Sequence, residues 1–342
     1  VKIVKIIAFI LAGLAALLFV LLLSMIRPDI PAEKLMDRYT DETSLFLDID
    51  GMQVHLKDEG EGPVLLLLHG TFASLHTWDP WAEAMKDQYR VLRVDLPGFG
   101  ITGPQPQGDY SLRASMYLLE SIREELGIEE WTLIGNSMGG GLALSYAQLY
   151  PDYTDKVVLF NGGRLLTNSE PSRVESGENE TVSDSENDEP SRSSLVLRAL
   201  DSPILRNLMS VMTPKFILEA SLKEVYGDPD RLQPETVTRY YELLRREGNR
   251  QAYINRREMQ QPRRDSDLPE LPEPVSISDS EVPVLIVWGR LDSWIPVRTG
   301  YRLHEAIPHS ELIIYDDLGH IPMEEDPGRT IADVRDFLER KD

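Results

Sequence analysis

Three side chains able to act together as nucleophile, orienting acid and base occur along this chain in the order Ser137, Asp292, His320. Ser137 lies in Gly135-Asn136-Ser137-Met138-Gly139-Gly140, between the apolar run Trp131–Ile134 and a helical pattern through Leu142, Ala143, Leu144, Tyr146 and Ala147. A strand that becomes a helix over so few residues needs the close backbone approach that glycine permits. One reading makes Ser137 a simple helix N-cap. The other is a nucleophile elbow, a strained turn that lifts a serine hydroxyl above the end of a sheet strand. A serine hydroxyl is a poor nucleophile until a base takes its proton, so the second reading requires partners elsewhere in the chain.

Those partners occur in strand contexts. Val282–Trp288 reads as a buried strand followed by Asp292, and Glu311–Tyr315 as another followed by His320. Upstream, Pro63–Leu68 reads as a buried strand ending in His69-Gly70-Thr71-Phe72, where a loop amide would meet an oxyanion. In this scheme His320 is the general base and returns the proton to the leaving group. Asp292 holds the imidazole in the required tautomer. The Met138 N–H is one oxyanion donor and the Thr71 N–H the second, with Phe72 as the alternative. His69, Gly70, Gly135, Asn136, Gly139 and Gly140 shape the elbow and its facing loop. Asp316 and Asp317 rival Asp292 but stand too close before His320 in sequence. His55, in the alternating stretch Met52–Leu56, reads as a strand surface residue, and Asp95 as a structural turn residue. His76 is a candidate for the pocket wall; His304 and His309 read as surface positions.

With Asp95-Leu-Pro-Gly98-Phe-Gly100 and "GNSMGG" added, residues 44 to 164 and 282 to 342 resemble an α/β-hydrolase of the group that holds esterases, lipases and meta-cleavage C–C hydrolases. The resemblance implies an α/β architecture, a doubly wound and mostly parallel sheet with a helical cap inserted at 165 to 281. It also implies acyl transfer to water, with neither cofactor nor metal. A serine at the elbow argues against the epoxide hydrolases and haloalkane dehalogenases, which carry aspartate there. Two departures stand out. Ile101-Thr-Gly follows the Asp95 motif where many relatives have serine, and Ile321 follows His320 where C–C hydrolases often have tryptophan.

The elements around these residues are set by composition. At 342 residues the chain supports one large core with an inserted subdomain. A net charge of -22 argues against nucleic acid as partner, and without cysteine there is no thiol chemistry. No pair of histidines has metal-ligand spacing. Residues 1 to 27 carry Lys2 and Lys5 ahead of an uninterrupted apolar run from Ile6 to Ile26, long enough for a single membrane pass. The leading lysines predict an N-inside orientation, placing the catalytic domain outside the cytoplasm. Residues 28 to 43 read as a polar tether, and Asp50-Gly51 as a hairpin turn. Cap helices are expected at Ser194–Val211, Pro214–Tyr226 and Pro234–Arg246, with a disordered acidic excursion at 169 to 192 and a loose return over Pro262–Glu281. Arg245, Arg246, Arg250, Arg256, Arg257, Arg263 and Arg264 read either as a solvated face or as contacts for lipid headgroups or a substrate carboxylate. Met212, Phe216 and Ile217, with Leu205, Leu208 and Met209, would line an acyl pocket or pack the cap. The expectation is a membrane-anchored serine hydrolase acting on a small, hydrophobic ester. The alternatives are a C–C hydrolase and a non-catalytic binding protein of the same fold.

Overall fold

The computed structural model describes residues 2–166, 211–258 and 268–340. Eight strands form one sheet in the order β1 (Ser44–Ile49), β2 (Met52–Glu59), β4 (Arg90–Val94), β3 (Val64–Leu68), β5 (Trp131–Asn136), β6 (Thr154–Phe160), β7 (Val284–Gly289) and β8 (Glu311–Tyr315). β1 (Ser44–Ile49) and β2 (Met52–Glu59) pair antiparallel around Asp50-Gly51, whose φ angles of 52° and 77° give the doubly left-handed turn that Asp-Gly favours. β2 joins β4 (Arg90–Val94) antiparallel, and every later pairing is parallel.

Alternation along β3 (Val64–Leu68) explains the layers. Leu66 and Leu68 turn to one face, with Leu133 of β5 (Trp131–Asn136) and Ile286 of β7 (Val284–Gly289), under helix residues Met116, Leu119, Leu142 and Tyr146. Leu65 and Leu67 turn to the other, with Ile134 and Leu285, under Trp78, Trp81, Val334 and Phe337. A strand covered on both faces reads as an unbroken apolar run, which is why β3 and β5 show no polar alternation. Burying each such leucine contributes about 2 kcal/mol relative to leaving it exposed.

The order reverses beside β3, since β4 lies on one side of it and β5 on the other. Open α/β sheets present their ligand crevice at such a point, beyond the carboxyl ends of the strands. The inserted segment supplies helices at Lys215–Val225, Pro234–Leu244 and Asn249–Glu258. The expected helix at 194–211, the acidic stretch 169–192, Arg263 and Arg264 lie outside the described residues apart from position 211. Where a loose return was expected, Leu268–Glu281 is tied down: Arg113 binds the carbonyls of Leu268 and Pro269, the Val275 N–H donates to Gln148 O, and Ile277 is buried.

Three further expectations meet a different arrangement. Residues 28–43 are not a free polar tether: Ala32–Tyr39 is a helix whose Leu35 is buried against Ile101 and Leu243. His55 is fully buried rather than on the surface, because Asp95 supplies the partner that a buried imidazole needs, at 2.8 Å from its Nδ1. Phe216, a candidate for the acyl pocket, is 64% exposed. The apolar N-terminus forms a 24-residue helix, Lys2–Met25, along which Ile6, Phe9, Leu14 and Val20 are all exposed. Among the described residues no helix is long and apolar enough to cross a membrane; Lys2–Met25 includes side chains outside that description.

Candidate active site

β5 ends at Asn136 and the helix Met138–Leu149 begins two residues later, leaving Ser137 alone at the corner with φ 53° and ψ -116°. Such a conformation costs a non-glycine residue roughly 1–3 kcal/mol, and the surroundings hold it. The Ser137 N–H donates to Phe160 O at 2.9 Å, and the Gly141 N–H donates to Ser137 O at 3.0 Å. Glycines make the corner possible by closeness. A Cβ on Gly139 would sit 2.2 Å from Leu68 O, one on Gly135 2.3 Å from the Gly139 carbonyl carbon, and one on Gly162 2.3 Å from Ser137 O.

Asp292 lies just past β7, and His320 past β8 (Glu311–Tyr315). Their strands are neighbours, and His320 Nδ1 stands 2.7 Å from Asp292 Oδ2. The carboxylate is fully engaged. Its Oδ2 also accepts from Asn161 Nδ2 at 2.7 Å, and its Oδ1 from the Trp294 and Ile295 N–H groups at 2.8 and 2.9 Å. The Asp292 side chain has no solvent exposure, so an acceptor-only carboxylate facing four donors fixes the proton on His320 Nδ1 and leaves Nε2 with its lone pair. Asn136 ties this pair to the elbow, its Nδ2 donating to His320 O at 3.0 Å and to Phe160 O at 3.1 Å. Among the described residues Ser137 Oγ makes no hydrogen bond. Asp316 and Asp317 do not approach the imidazole; they pair with Arg290 and Arg329.

The loop after β3 faces the elbow. A Cβ on Gly70 would meet Asn136 Oδ1 at 2.8 Å and the Ser137 Cβ at 3.2 Å, so Gly70 lets the two backbones meet. Phe72 takes φ 65°, and Thr71 Oγ1 lies 3.9 Å from Met138 Sδ. The loop is held by His69, which is buried: Nδ1 donates to Gly70 O at 2.7 Å and Nε2 accepts the Leu96 N–H at 3.0 Å. Burial pushes this imidazole below its ordinary value, keeping it neutral. Asp95 anchors the same region. Burial alone would raise its carboxyl, but the His55 hydrogen bond, the nearby imidazoles and the Leu75 N–H hold it below the carboxylate range.

His76 contacts the N-terminal segment, its Nε2 3.1 Å from Tyr39 O. Arg245 and Arg250 bind the same segment, at Pro28 O and Asp29. Arg256 donates to Pro97 O at 2.9 Å beneath the rings of Phe99 and Tyr110, and burial pushes it down to about 10. Among the described residues no group of three or more His, Asp or Glu is arranged to hold a metal ion. Sequence reasoning passed over Asn161, whose only signal is the Gly162-Gly163 pair that follows it. It accepts the Gly289 N–H at 3.2 Å while donating to Asp292, and its φ of 47° is one that asparagine tolerates. It also missed Trp294, whose ring lies 5.4 Å from that of His320. The tryptophan beside the imidazole therefore comes from position 294, not 321.

Comparison with known proteins shows which family this fold belongs to. The model of the alpha/beta hydrolase fold matches residues 63–327. A 2-hydroxy-6-oxononadienedioate/2-hydroxy-6-oxononatrienedioate hydrolase of Klebsiella pneumoniae is 29% identical over 81% of this chain and 89% of its own. Among solved structures, a membrane phospholipase A described as a bacterial virulence factor is similar with a TM-score of 0.64 and 20% identity, covering 99% of this chain and 98% of that one. A meta-cleavage product hydrolase from Pseudomonas fluorescens IP01 is similar with a TM-score of 0.64 and 22% identity, over 86% of this chain and 97% of that one.

Proposed function

This chain belongs to the alpha/beta hydrolase fold family, and from that premise we propose that it is a membrane-anchored serine hydrolase cleaving esters with an apolar acyl or alkyl portion. The observation that carries the reading is the His320–Asp292 pair, with its saturated carboxylate, held to the end of the strand that presents Ser137. Substrate binding brings Ser137 Oγ against His320 Nε2, a contact that commonly tightens only in the complex. Nε2 takes the hydroxyl proton as Oγ attacks the carbonyl carbon. The oxyanion forms against the Met138 and Thr71 N–H groups, each worth about 3–4 kcal/mol to the transition state. His320 returns the proton to the leaving alcohol, and water repeats the sequence on the acyl-enzyme. Asp292 keeps its charge throughout and balances the imidazolium.

The helix Lys2–Met25 anchors the chain, with the catalytic domain outside the cytoplasm. Its exposed apolar side chains support this reading, as does a likeness of fold to the membrane phospholipase A that covers 99% of the chain. A second reading, cleavage of a C–C bond in a ring-fission dienoate, is favoured by the name of the Klebsiella relative. A p-nitrophenyl ester series of increasing chain length, run beside a ring-fission dienoate with wild type and Ser137→Ala, separates the two. Turnover of the dienoate alone overturns the ester reading. Turnover of neither, with no fluorophosphonate labelling of Ser137, leaves a binding protein. Recovery of the full chain in the membrane fraction, and of a chain lacking residues 1–26 in the supernatant, tests the anchor.

A further inference from the structure

The inserted cap meets the loops carrying Asp292 and His320 at a junction built from backbone groups. The helix Lys215–Val225 ends there, and the last carbonyls of a helix have no partner within it. Two of them are taken up by the proposed catalytic loops. Glu224 O accepts from Ser293 Oγ at 2.9 Å, next to Asp292, and Val225 O accepts the N–H of His320 itself at 2.7 Å. The chain then passes so close to the His320 loop that both sides need glycine. A Cβ on Gly227 would stand 2.8 Å from Asp317 O and Gly319 N, and one on Gly319 2.3 Å from Val225 O.

Glu325 closes this junction. Its carboxylate is buried, and among the described residues no cation pairs with it. Its Oε2 accepts the Gly319 N–H at 2.8 Å and the Gly227 N–H at 3.0 Å, while Oε1 accepts the Asp228 N–H at 2.8 Å. One amide comes from the residue before His320 and two from the cap. A carboxylate removed from water needs such donors, and these belong to two segments far apart in sequence that must therefore stay together.

We propose that Glu325 is a positioning residue that buckles the cap to the His320 loop, so that the imidazole reaches its working place only with the cap seated. The proposal rests on His320 being the base. Glu325 touches no substrate; it acts through the backbone of Gly319 and His320. Displacing a catalytic group by about 1 Å can cost on the order of 100-fold in rate, which sets the size of the effect.

The test uses the full chain with p-nitrophenyl butyrate and, in parallel, the rate at which a fluorophosphonate probe labels Ser137. Glu325→Ala is expected to lower kcat and the labelling rate about 100-fold, with KM changed less than about threefold. Glu325→Gln keeps one acceptor oxygen and turns an NH2 against an amide, so an intermediate loss is expected. Gly227→Ala leaves the carboxylate in place and pushes the two segments apart; the same kcat-selective loss is expected. In Glu325→Ala the amides of Gly227, Asp228, Gly319 and His320 should lose hydrogen-exchange protection together, while β7 and β8 keep theirs. Wild-type labelling rates in Glu325→Ala and Gly227→Ala well below their unfolding temperatures would overturn the proposal, as would protection lost on the cap side alone. His320→Ala is the control. Wild-type labelling in that variant sinks the role of His320, whereas its loss beside an unaffected Glu325→Ala sinks only the buckle.

Discussion

At the scale of single residues, the site depends on acceptors and donors meeting in the right sense. Asp292 is useful because it can only accept, and four N–H groups are turned toward it. Asp292→Asn puts an NH2 among those donors and favours the imidazole tautomer that lacks a free Nε2. It is expected to cut kcat by about 10³–10⁴-fold, with a folded far-ultraviolet circular dichroism spectrum, measured on a p-nitrophenyl ester. Gly162→Ala is the steric counterpart. Its new methyl would press on Ser137 O, Cα and N within 2.7 Å, so fluorophosphonate labelling should be lost although no reacting group is changed. His55 teaches the same lesson away from the site. Strand alternation turned it outward, yet Val54, His55, Leu56 and Lys57 are all buried in β2. Phe46 stacks on the imidazole and Asp95 satisfies it, and neither is signalled by local sequence.

Among elements, the segment between the N-terminal helix and the sheet has a structural role its polar composition concealed. Its backbone bridges to the cap through Ile30 and Arg246, its Asp29 pairs with the buried Arg250 guanidinium at 2.6 Å, and Arg38 and Tyr39 both bind Glu242. Leu35 closes the contact from below at 1% exposure. Leu35→Ala should therefore cost about 2–4 kcal/mol in a urea titration, as for other buried leucines, rather than the near-zero expected of a free tether. Asp29→Ala should cost about 1–3 kcal/mol, less than a fully buried pair, because Asp29 keeps partial exposure while the remaining Arg250 charge stays buried. The proposed anchor thus connects to the cap through ordered structure.

The whole molecule should show its buried ionisable groups in its pH dependence. His69 is held below its ordinary value of 6.5, so in acid the unfolded chain takes up this proton while the folded one does not. Its contribution is complete above about pH 6.5 and is lost as pH falls below it. Asp95 is held below its ordinary 3.8, so its contribution persists above that value and is lost as pH falls further, through its folded-state titration. Thermal unfolding midpoints are therefore expected to decline in two limbs on acidification, beginning near pH 6.5. His69→Asn should lack the upper limb; a decline in that variant identical to wild type would assign it to another group.

The residues alone determined whatever depends on near neighbours. Glycines on both sides of Ser137, apolar runs at 64–68 and 131–134, and an Asp-Gly turn each state a local backbone requirement, and each was readable. The order of Ser137, Asp292 and His320 was also readable. That the last two lie 2.7 Å apart was not, because the distance depends on β7 and β8 becoming neighbours. Asn161 under Asp292, Glu325 on the cap amide of Gly227, and Asp29 on Arg250 are pairings across about 100 to 220 positions. An asparagine or glutamate has the same sequence signature on a solvated surface as in a buried network. Only the closed fold decides, by removing water and leaving each buried polar atom the donors and acceptors that tertiary packing supplies.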